Sequence, residues 1–473
     1  MPSVAWQPWH TAAFLDAQHR RRPVVLLLET AWAPACAQAH AAVFSRPDVQ
    51  QAIAEATVPV RVDADRRPDI GDRYGLGHWP SLLFLTPEGH VLTGGTALDD
   101  ALAARVRAVA AAFAAGDGAW APSAPAELAE PADFAYAGDA DDARLLTALA
   151  ASVWQARDAV HGVFMHEGLP SPTAVTFAFA HGLATGDADW MDAAQRTLEA
   201  LAGAVPDLDT TGLAACVPAA AGGPPVVRLE DQADWIRAHA RALHVTAESR
   251  GRDRLRRLVA ALVRDFRRHD GHFRAWTSAP GLVLVDASAR ACGSLLAAAD
   301  ALEEPDMART AIDALEVLAP AAYARAAGVA HVIDGGRARG PMLLDDAMLL
   351  AHALADADRW RADDVYRDLA DELLRTTTAR LQDGSGMLVD RIAALAGAGR
   401  VGRLAEPHYP IVGNAEAARL LVRLHPDDAA ACDDARRLLV SMSPRATGAG
   451  VFAAPAALAW HALGPPGSAA AAW

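Results

Sequence analysis

The chain contains no lysine, since all 43 basic residues among its 473 are arginine. Every chemistry that runs through an ε-amino group is thereby excluded. That covers Schiff bases, a pyridoxal aldimine, a P-loop lysine on a phosphate and a lysine general base. Asparagine occurs once, at Asn414. The four cysteines, Cys36, Cys216, Cys292 and Cys432, are scattered too widely for a disulfide framework or zinc-ligand spacing. No apolar run approaches the ~18 residues of a membrane helix. The opening Met1-Pro2-Ser3-Val4 has no basic-then-apolar leader pattern. A reducing cytoplasmic setting, no membrane association and no cofactor are expected.

The formal net charge is -15, with acidic and basic residues interspersed, so nucleic acid and anionic membranes are not expected partners. Hydrophobic residues make up 52% of the chain, enough for a large core. A chain of 473 residues is too long for one small domain.

Residues 1–115 alternate strand and helix signals. The apolar run Val24-Val25-Leu26-Leu27-Leu28 reads as a buried strand, followed by Trp32-Ala33-Pro34-Ala35-Cys36 and a helical run toward Phe44. A strand, a Trp-led turn and a helix opening beside a cysteine form the redox corner of a thioredoxin-like α/β fold. Two cysteines spaced C-x-x-C would be required there, but the first position is Ala33 and only Cys36 remains. His40, one turn further on, is placed to influence a Cys36 thiolate. Trp79-Pro80 opens the strand Ser81–Leu85, where such folds keep a cis peptide bond beside the corner, and His78 borders it.

Residues 116–138, rich in Ala, Pro and acidic side chains, read as a linker. Beyond them the strand signal ends. Helical periodicity recurs near 140–159, 171–185, 188–203, 229–247, 252–268, 283–302, 305–326, 343–357, 361–382, 413–424, 427–441 and 453–463. Twelve such helices suit an all-α (α/α)6 toroid over 139–465, six inner helices ringed by six outer ones.

Several stretches together resemble the spermatogenesis-associated thioredoxin-domain family. These are Trp6-Gln7-Pro8-Trp9, Val62 through Asp69, Trp79-Pro80, Phe84-Leu85-Thr86-Pro87, Gly94-Gly95-Thr96, Leu344-Asp345-Asp346 and Val412-Gly413-Asn414-Ala415. The resemblance implies a thioredoxin-like domain fused to a six-hairpin barrel similar to those of N-acylglucosamine and cellobiose 2-epimerases. Departures mark a divergent, shortened member. The family's C-H-W-C-H is Ala33 through Ala37, and its G-G-F-G is His161-Gly162-Val163-Phe164, with Gly168 in place of a lysine. Its H-F-E-K is Arg228-Leu229-Glu230-Asp231, and its acidic run after G-G-F is Thr277-Ser278-Ala279.

Interhelical loops gather the candidate barrel residues. Proton exchange at a sugar carbon needs paired groups titrating near neutrality, which nominates His166, Glu230 and His272 as catalytic. Arg228, Trp235, Trp276, Asp345, Asp346, His408 and Asn414 are the residue types that hold a sugar. No metal site is expected, because His161 and His166 lack a third ligand at recognisable spacing. Three functions are open: a two-domain protein binding a small sugar-like ligand, with a structural or protein-binding thioredoxin unit; a sugar 2-epimerase-like enzyme; and a monothiol redox protein using Cys36.

Overall fold

The computed structural model describes residues 4–96, 98–116, 139–166, 168–205, 208–214, 226–246, 249–277, 279, 281–361, 364–392 and 400–464. The expected linker lies outside these from residue 117 to 138, as do Cys216 and Ser278. The chain forms two compact units, and the first includes the distant segment Arg391–His408.

The first unit runs α1 (Thr11–Arg20), β1 (Val24–Glu29), α2 (Pro34–Ala39), a π-helical turn (His40–Phe44), α3 (Pro47–Ala56) and β2 (Val58–Asp63). It continues through α4 (Pro68–Tyr74), β3 (Ser81–Leu85), β4 (Val91–Gly95) and α5 (Leu102–Ala115). Prolines open α2, α3 and α4, where a missing N–H costs nothing and the fixed φ suits a first turn. The strand order is β2-β1-β3-β4, with β1 parallel to β2 and antiparallel to β3. All six residues of β1 are buried, so its alternate side chains feed two cores. Val24, Leu26 and Leu28 pack with α1 and α4, while Val25 and Leu27 pack with α3 and α5. The Trp79–Pro80 bond is cis, as its place before β3 leads one to expect.

Nothing in the sequence announces that residues 400–408 belong to this unit. Leu404 is 1% exposed and joins the core of Val24 and Tyr74. Arg391 reaches the buried Asp69, 3.4 Å away, and donates to the Leu404 carbonyl at 2.6 Å. The Tyr74 hydroxyl donates to the Gly89 carbonyl at 2.9 Å and accepts from the Arg403 amide at 2.9 Å. Gly402, at φ 55°, passes so close to Tyr74 and Gly89 that a Cβ would collide with both.

The second unit begins with α6 (Asp139–Gln155), the short pair β5 (Met165–His166) and β6 (Leu169–Pro170), α7 (Pro172–Thr185), α8 (Ala188–Ala204) and the single turn α9 (Leu208–Thr211). Then come α10 (Leu229–Thr246), α11 (Ser249–Phe266), β7 (Val283–Leu284), α12 (Val285–Leu302), α13 (Pro305–Ala322), β8 (Tyr323–Ala324), β9 (Gly328–Asp334) and β10 (Arg337–Met342). It closes with α14 (Leu344–Asp358), α15 (Val365–Leu381), α16 (Ile411–Leu424), α17 (Ala429–Ala446) and α18 (Ala454–Ala462). Helices α7, α10, α12, α14, α16 and α18 each pack on the next, and α18 packs back on α7. That closed inner ring is surrounded by α8, α11, α13, α15, α17 and α6, giving the (α/α)6 toroid. Two-residue connections such as Glu303-Glu304 between α12 and α13 force antiparallel neighbours. Inner helices therefore run parallel to one another, with their N-termini at one end.

The expectation that strands end at the linker is wrong. β9 and β10 form a hairpin through Gly335-Gly336, and β7 pairs with β9. The run Val329-Ala330-His331-Val332-Ile333 before Gly-Gly is a hairpin signal hidden among the longer helical ones.

Tyr74→Phe leaves the Gly89 carbonyl and the Arg403 amide without their hydroxyl partner. A loss of ~1–3 kcal/mol from the first unit is expected, measured by urea unfolding. A change below ~0.5 kcal/mol would mean that the 400–408 segment adds little to that unit.

Candidate functional site

At the corner that opens the first unit, Ala33 is 7% and Cys36 5% exposed. Burial pushes the Cys36 thiol up, and the nearby Glu29 carboxylate adds to the shift while hydrogen bonding to Thr30 opposes it. His40 does not serve Cys36, because its Nε2 lies 2.6 Å from Glu29 Oε2 and Arg61 also binds that carboxylate. Trp32 donates from Nε1 to Asp65 at 2.9 Å. The corner of Trp32, Ala33, Cys36 and Pro80 is thus assembled, with its sulfur buried and less acidic than a free thiol.

In the second unit, the loops before the inner helices and the first turns of those helices meet at the end where the N-termini lie. Arg228, just before α10, places its guanidinium 2.6 Å from Glu230 and 2.8 Å from Asp231. One turn on, Asp234 lies 3.4 Å from Arg290 of α12. Burial works against the Arg290 charge, but Asp234, Asp286, Glu230 and Asp345 outweigh it and hold the guanidinium above its usual range. The Asp286 amide at the start of α12 donates to Asp346 of α14 at 3.0 Å. Gly413 in α16 leaves the space that the Asp345 carboxylate occupies. Charges from α10, α12 and α14, with backbone of α16 beside them, therefore share one polar mouth.

The hairpin β9–β10 adds a residue that helical periodicity could not suggest. His331 Nδ1 lies 3.0 Å from both oxygens of Asp346 and 4.0 Å from Asp286 Oδ1. His331 is 3% and Asp346 0% exposed. Asp286, His331 and Asp346 can each offer one donor atom within 4.8 Å of the others, so they could hold a metal ion. As they stand, imidazole and carboxylate form a buried, hydrogen-bonded pair. Burial pushes Asp346 up to about 6, against the pull of His331. Burial pushes Asp231 up to about 6 as well, with Arg228 opposing and Glu230 and Asp234 reinforcing.

Most of the other nominated residues lie on the same loops or early helical turns, outside the contacts just described. Trp235 is 1% exposed and belongs to the packing of α10, and Trp276, at 5%, pairs its backbone with Arg228. Asn414 is 0% exposed and spends its side chain on the backbone of Leu388 and Pro410, at 2.8 to 2.9 Å. It fastens the loop after α15 and is not presented to a ligand. His408 ends the segment that belongs to the first unit. His272 lies in the turn after α11, its amide 3.2 Å from Asp270, next to Gly271, which rests on Val317 of the outer helix α13. His166 is exposed, its ring 4.6 Å from that of Phe452, itself 53% exposed ahead of α18. His161 is exposed and caps on Asp158. Of the nominated set, Arg228 and Glu230 touch, and Asp345 and Asp346 join them through Arg290 and Asp286. Asp286, Arg290 and His331 were missed.

Residues 1–124 match the family described as a protein of unknown function, DUF255. An uncharacterized protein of Caenorhabditis elegans is 30% identical over 101 residues, and human spermatogenesis-associated protein 20 is 29% identical over 101 residues. Those stretches are 20% of this chain and only 14% and 13% of the relatives' own lengths. Among solved structures, a D-mannose isomerase superposes with TM-score 0.53 at 14% identity, over 65% of this chain and 88% of its own. A sugar epimerase from a ruminal bacterium gives 0.51 at 11%, covering 64% and 86%. At such identities the likeness is one of fold. The chain is a thioredoxin-like unit combined with a six-hairpin barrel of the kind seen in sugar epimerases and glycosidases, the pairing that the sequence resemblance implies.

Both raised carboxyls stabilise the fold when protonated. Their contribution is fully present below the unfolded value of about 4 and is lost as pH rises through about 6. Carbon-13 NMR of labelled aspartate should find two carboxyls titrating near 6, one removed by Asp346→Asn and the other by Asp231→Asn. Finding every aspartate midpoint below about 5 would contradict this picture of the mouth.

Proposed function

We propose that the mouth of the barrel binds a small, polar, sugar-like molecule and that the first unit does not carry out dithiol–disulfide exchange. The observation that carries this reading is the meeting of Arg228, Glu230, Asp286, Arg290 and Asp345 around the His331–Asp346 dyad. A polyol presents donors and acceptors in fixed directions, and charged groups held rigidly on helix ends satisfy them without further ordering cost. The fold likeness to a D-mannose isomerase and a sugar epimerase supports a carbohydrate as the ligand class.

Sugar epimerisation or isomerisation is the second reading, and His331–Asp346 favours it over binding alone. An imidazole steadied by a carboxylate can take a proton from carbon and return it. The residues that would do this differ from the His166, Glu230 and His272 set suggested by the sequence. The monothiol reading is disfavoured by the burial of Cys36 and its upward shift. Release of a mixed disulfide would also need a second thiol, and Ala33 stands where it would be. The thioredoxin-like unit is read as a structural or protein-binding element, in a cytoplasmic protein.

Titration calorimetry with D-mannose, N-acetylglucosamine and cellobiose should reveal saturable binding of at least one. Asp286→Ala should weaken it about tenfold or more, equivalent to ~1.4 kcal/mol. Incubation of the bound sugar in deuterated water separates the readings, because deuterium at carbon, lost in His331→Asn, marks catalysis. Absence of saturable binding across the panel would remove the carbohydrate reading.

A further inference from the structure

One oxygen of Asp286 stands apart from the rest of the mouth. Its Oδ1 is buried and, among the described residues, has no hydrogen-bond partner. His331 Nδ1 lies 4.0 Å away, beyond hydrogen-bond reach, and Arg290, one turn along α12, is turned to Asp234 of α10 at 3.4 Å. A carboxylate oxygen withdrawn from water and left without a donor is costly, and such an oxygen calls for a partner from outside the chain.

Three elements hold the groups around that oxygen, and their backbones fix where each group stands. Asp286 lies in the first turn of α12 and Asp346 in the first turn of α14. β7 leads directly into α12 and pairs with β9, Val283 opposite Ile333 and Leu284 opposite Val332, which brings His331 beside Asp286. The Asp286 amide donates to Asp346 Oδ1 at 3.0 Å, so the residue that carries the orphaned oxygen also orients the neighbouring carboxylate. The His331 and Asp346 side chains are only 4% and 1% exposed.

The separations fit a cation. His331 Nδ1 is 3.0 Å from each Asp346 oxygen and 4.0 Å from Asp286 Oδ1, and one donor atom from each residue lies within 4.8 Å of the others. A divalent cation with bonds of about 2.0–2.5 Å holds adjacent donors roughly 3 Å apart and opposite donors up to about 5 Å apart. The three donors already stand at such separations, so entry of a cation asks for no movement of the backbone. Histidine spacing could not reveal this arrangement, because its donors come from one strand and two helices far apart in the chain.

We propose that Asp286, His331 and Asp346 form a binding site for one divalent transition-metal cation of the Mn²⁺ or Zn²⁺ kind. The donor set decides the class. An imidazole nitrogen with two carboxylate oxygens suits these ions, whereas Ca²⁺ and Mg²⁺ prefer oxygen throughout. As the cation enters it takes the Nδ1 lone pair of His331, and the proton held between His331 and Asp346 leaves to solvent. Three protein ligands leave coordination positions open. Neighbouring hydroxyls of a polyol fit those positions, and that role, unlike the cation site itself, rests on the ligand proposed for the mouth. Coordination by Nδ1 and proton abstraction by the same nitrogen exclude each other, so the cation belongs with the binding reading and not with the catalytic one.

The full chain, stripped with EDTA and then freed of chelator, should bind one equivalent of Mn²⁺ saturably in calorimetry, and Zn²⁺ more tightly. Pulsed EPR of the bound Mn²⁺ should show a coordinated imidazole nitrogen that is lost in His331→Gln. Asp286→Asn should weaken Mn²⁺ about tenfold or more and lose the rise in melting temperature that Mn²⁺ confers on the wild type, while the surface control His161→Gln should do neither. Asp286→Asn keeps the shape of the side chain, so it tests the site even where His331→Gln, which strips Asp346 of its partner, does not fold. The proposal falls if neither ion binds saturably, if the bound Mn²⁺ carries no nitrogen coupling, or if its binding survives Asp286→Asn unchanged. Sugar titrations before and after EDTA keep the two proposals apart. Cation binding without sugar binding removes the ligand of the mouth alone, and sugar binding without cation binding removes this site alone.

Discussion

Six helices that close into a ring must each turn one face to the outer layer and another to a narrow axis. In this protein that constraint governs the barrel. The surfaces that pack against neighbouring helices can be apolar and small, as in α12, where Ala287, Ala289, Ala291, Ala298 and Ala299 are all buried. Alanine lets helices approach closely without losing much side-chain entropy. The axial faces carry charge, and charge in so confined a space is costly unless matched across the ring. Arg290 with Asp234, Arg423 with Asp356, and His352 with Glu416 are such matches, each joining two helices. The same pairs that make the polar lumen tolerable are the groups that a ligand would meet there.

The first unit keeps the thioredoxin-like frame without its pair of cysteines. Its sheet, its Trp-led corner and its cis proline are in place, while the first cysteine position is Ala33 and Cys36 is sealed. The His40 imidazole and the Arg61 guanidinium, both beside the corner, converge on the buried Glu29 and not on sulfur. Such an arrangement stabilises a carboxylate and leaves the thiol protonated, the opposite of what a nucleophilic cysteine requires.

Much of this architecture was legible in the sequence because local signals agreed with one another. Several of the long helices combine periodic burial with punctuation that has a physical role, such as the caps Ser171, Asp187 and Asp428 and the opening Pro305. The chemistry of the mouth was only partly legible. Asp286 and Arg290 sit at helical spacing, where a charged pair is ordinarily a solvated face, and only ring closure turns that face inward. His331 arrives on a hairpin inserted between helices and meets Asp346 fifteen positions later in sequence. Trp235 and Asn414 misled for the converse reason. An indole and an amide are also good packing and backbone-clamping groups, and their burial depends on neighbours that periodicity does not reveal. The contribution of residues 400–408 to the first unit depends on contacts more than three hundred positions apart, such as Arg403 with Tyr74.

The central claim is that function resides in the charged lumen and not in the cysteine corner. A crystal of the full chain soaked with a pyranose that binds in solution tests this most directly. The account predicts density for a sugar ring within hydrogen-bonding reach of Arg290, Asp286 and Asp345, close to His331. Density for that sugar against Trp32, Cys36 and Pro80, with the barrel mouth empty, would contradict it.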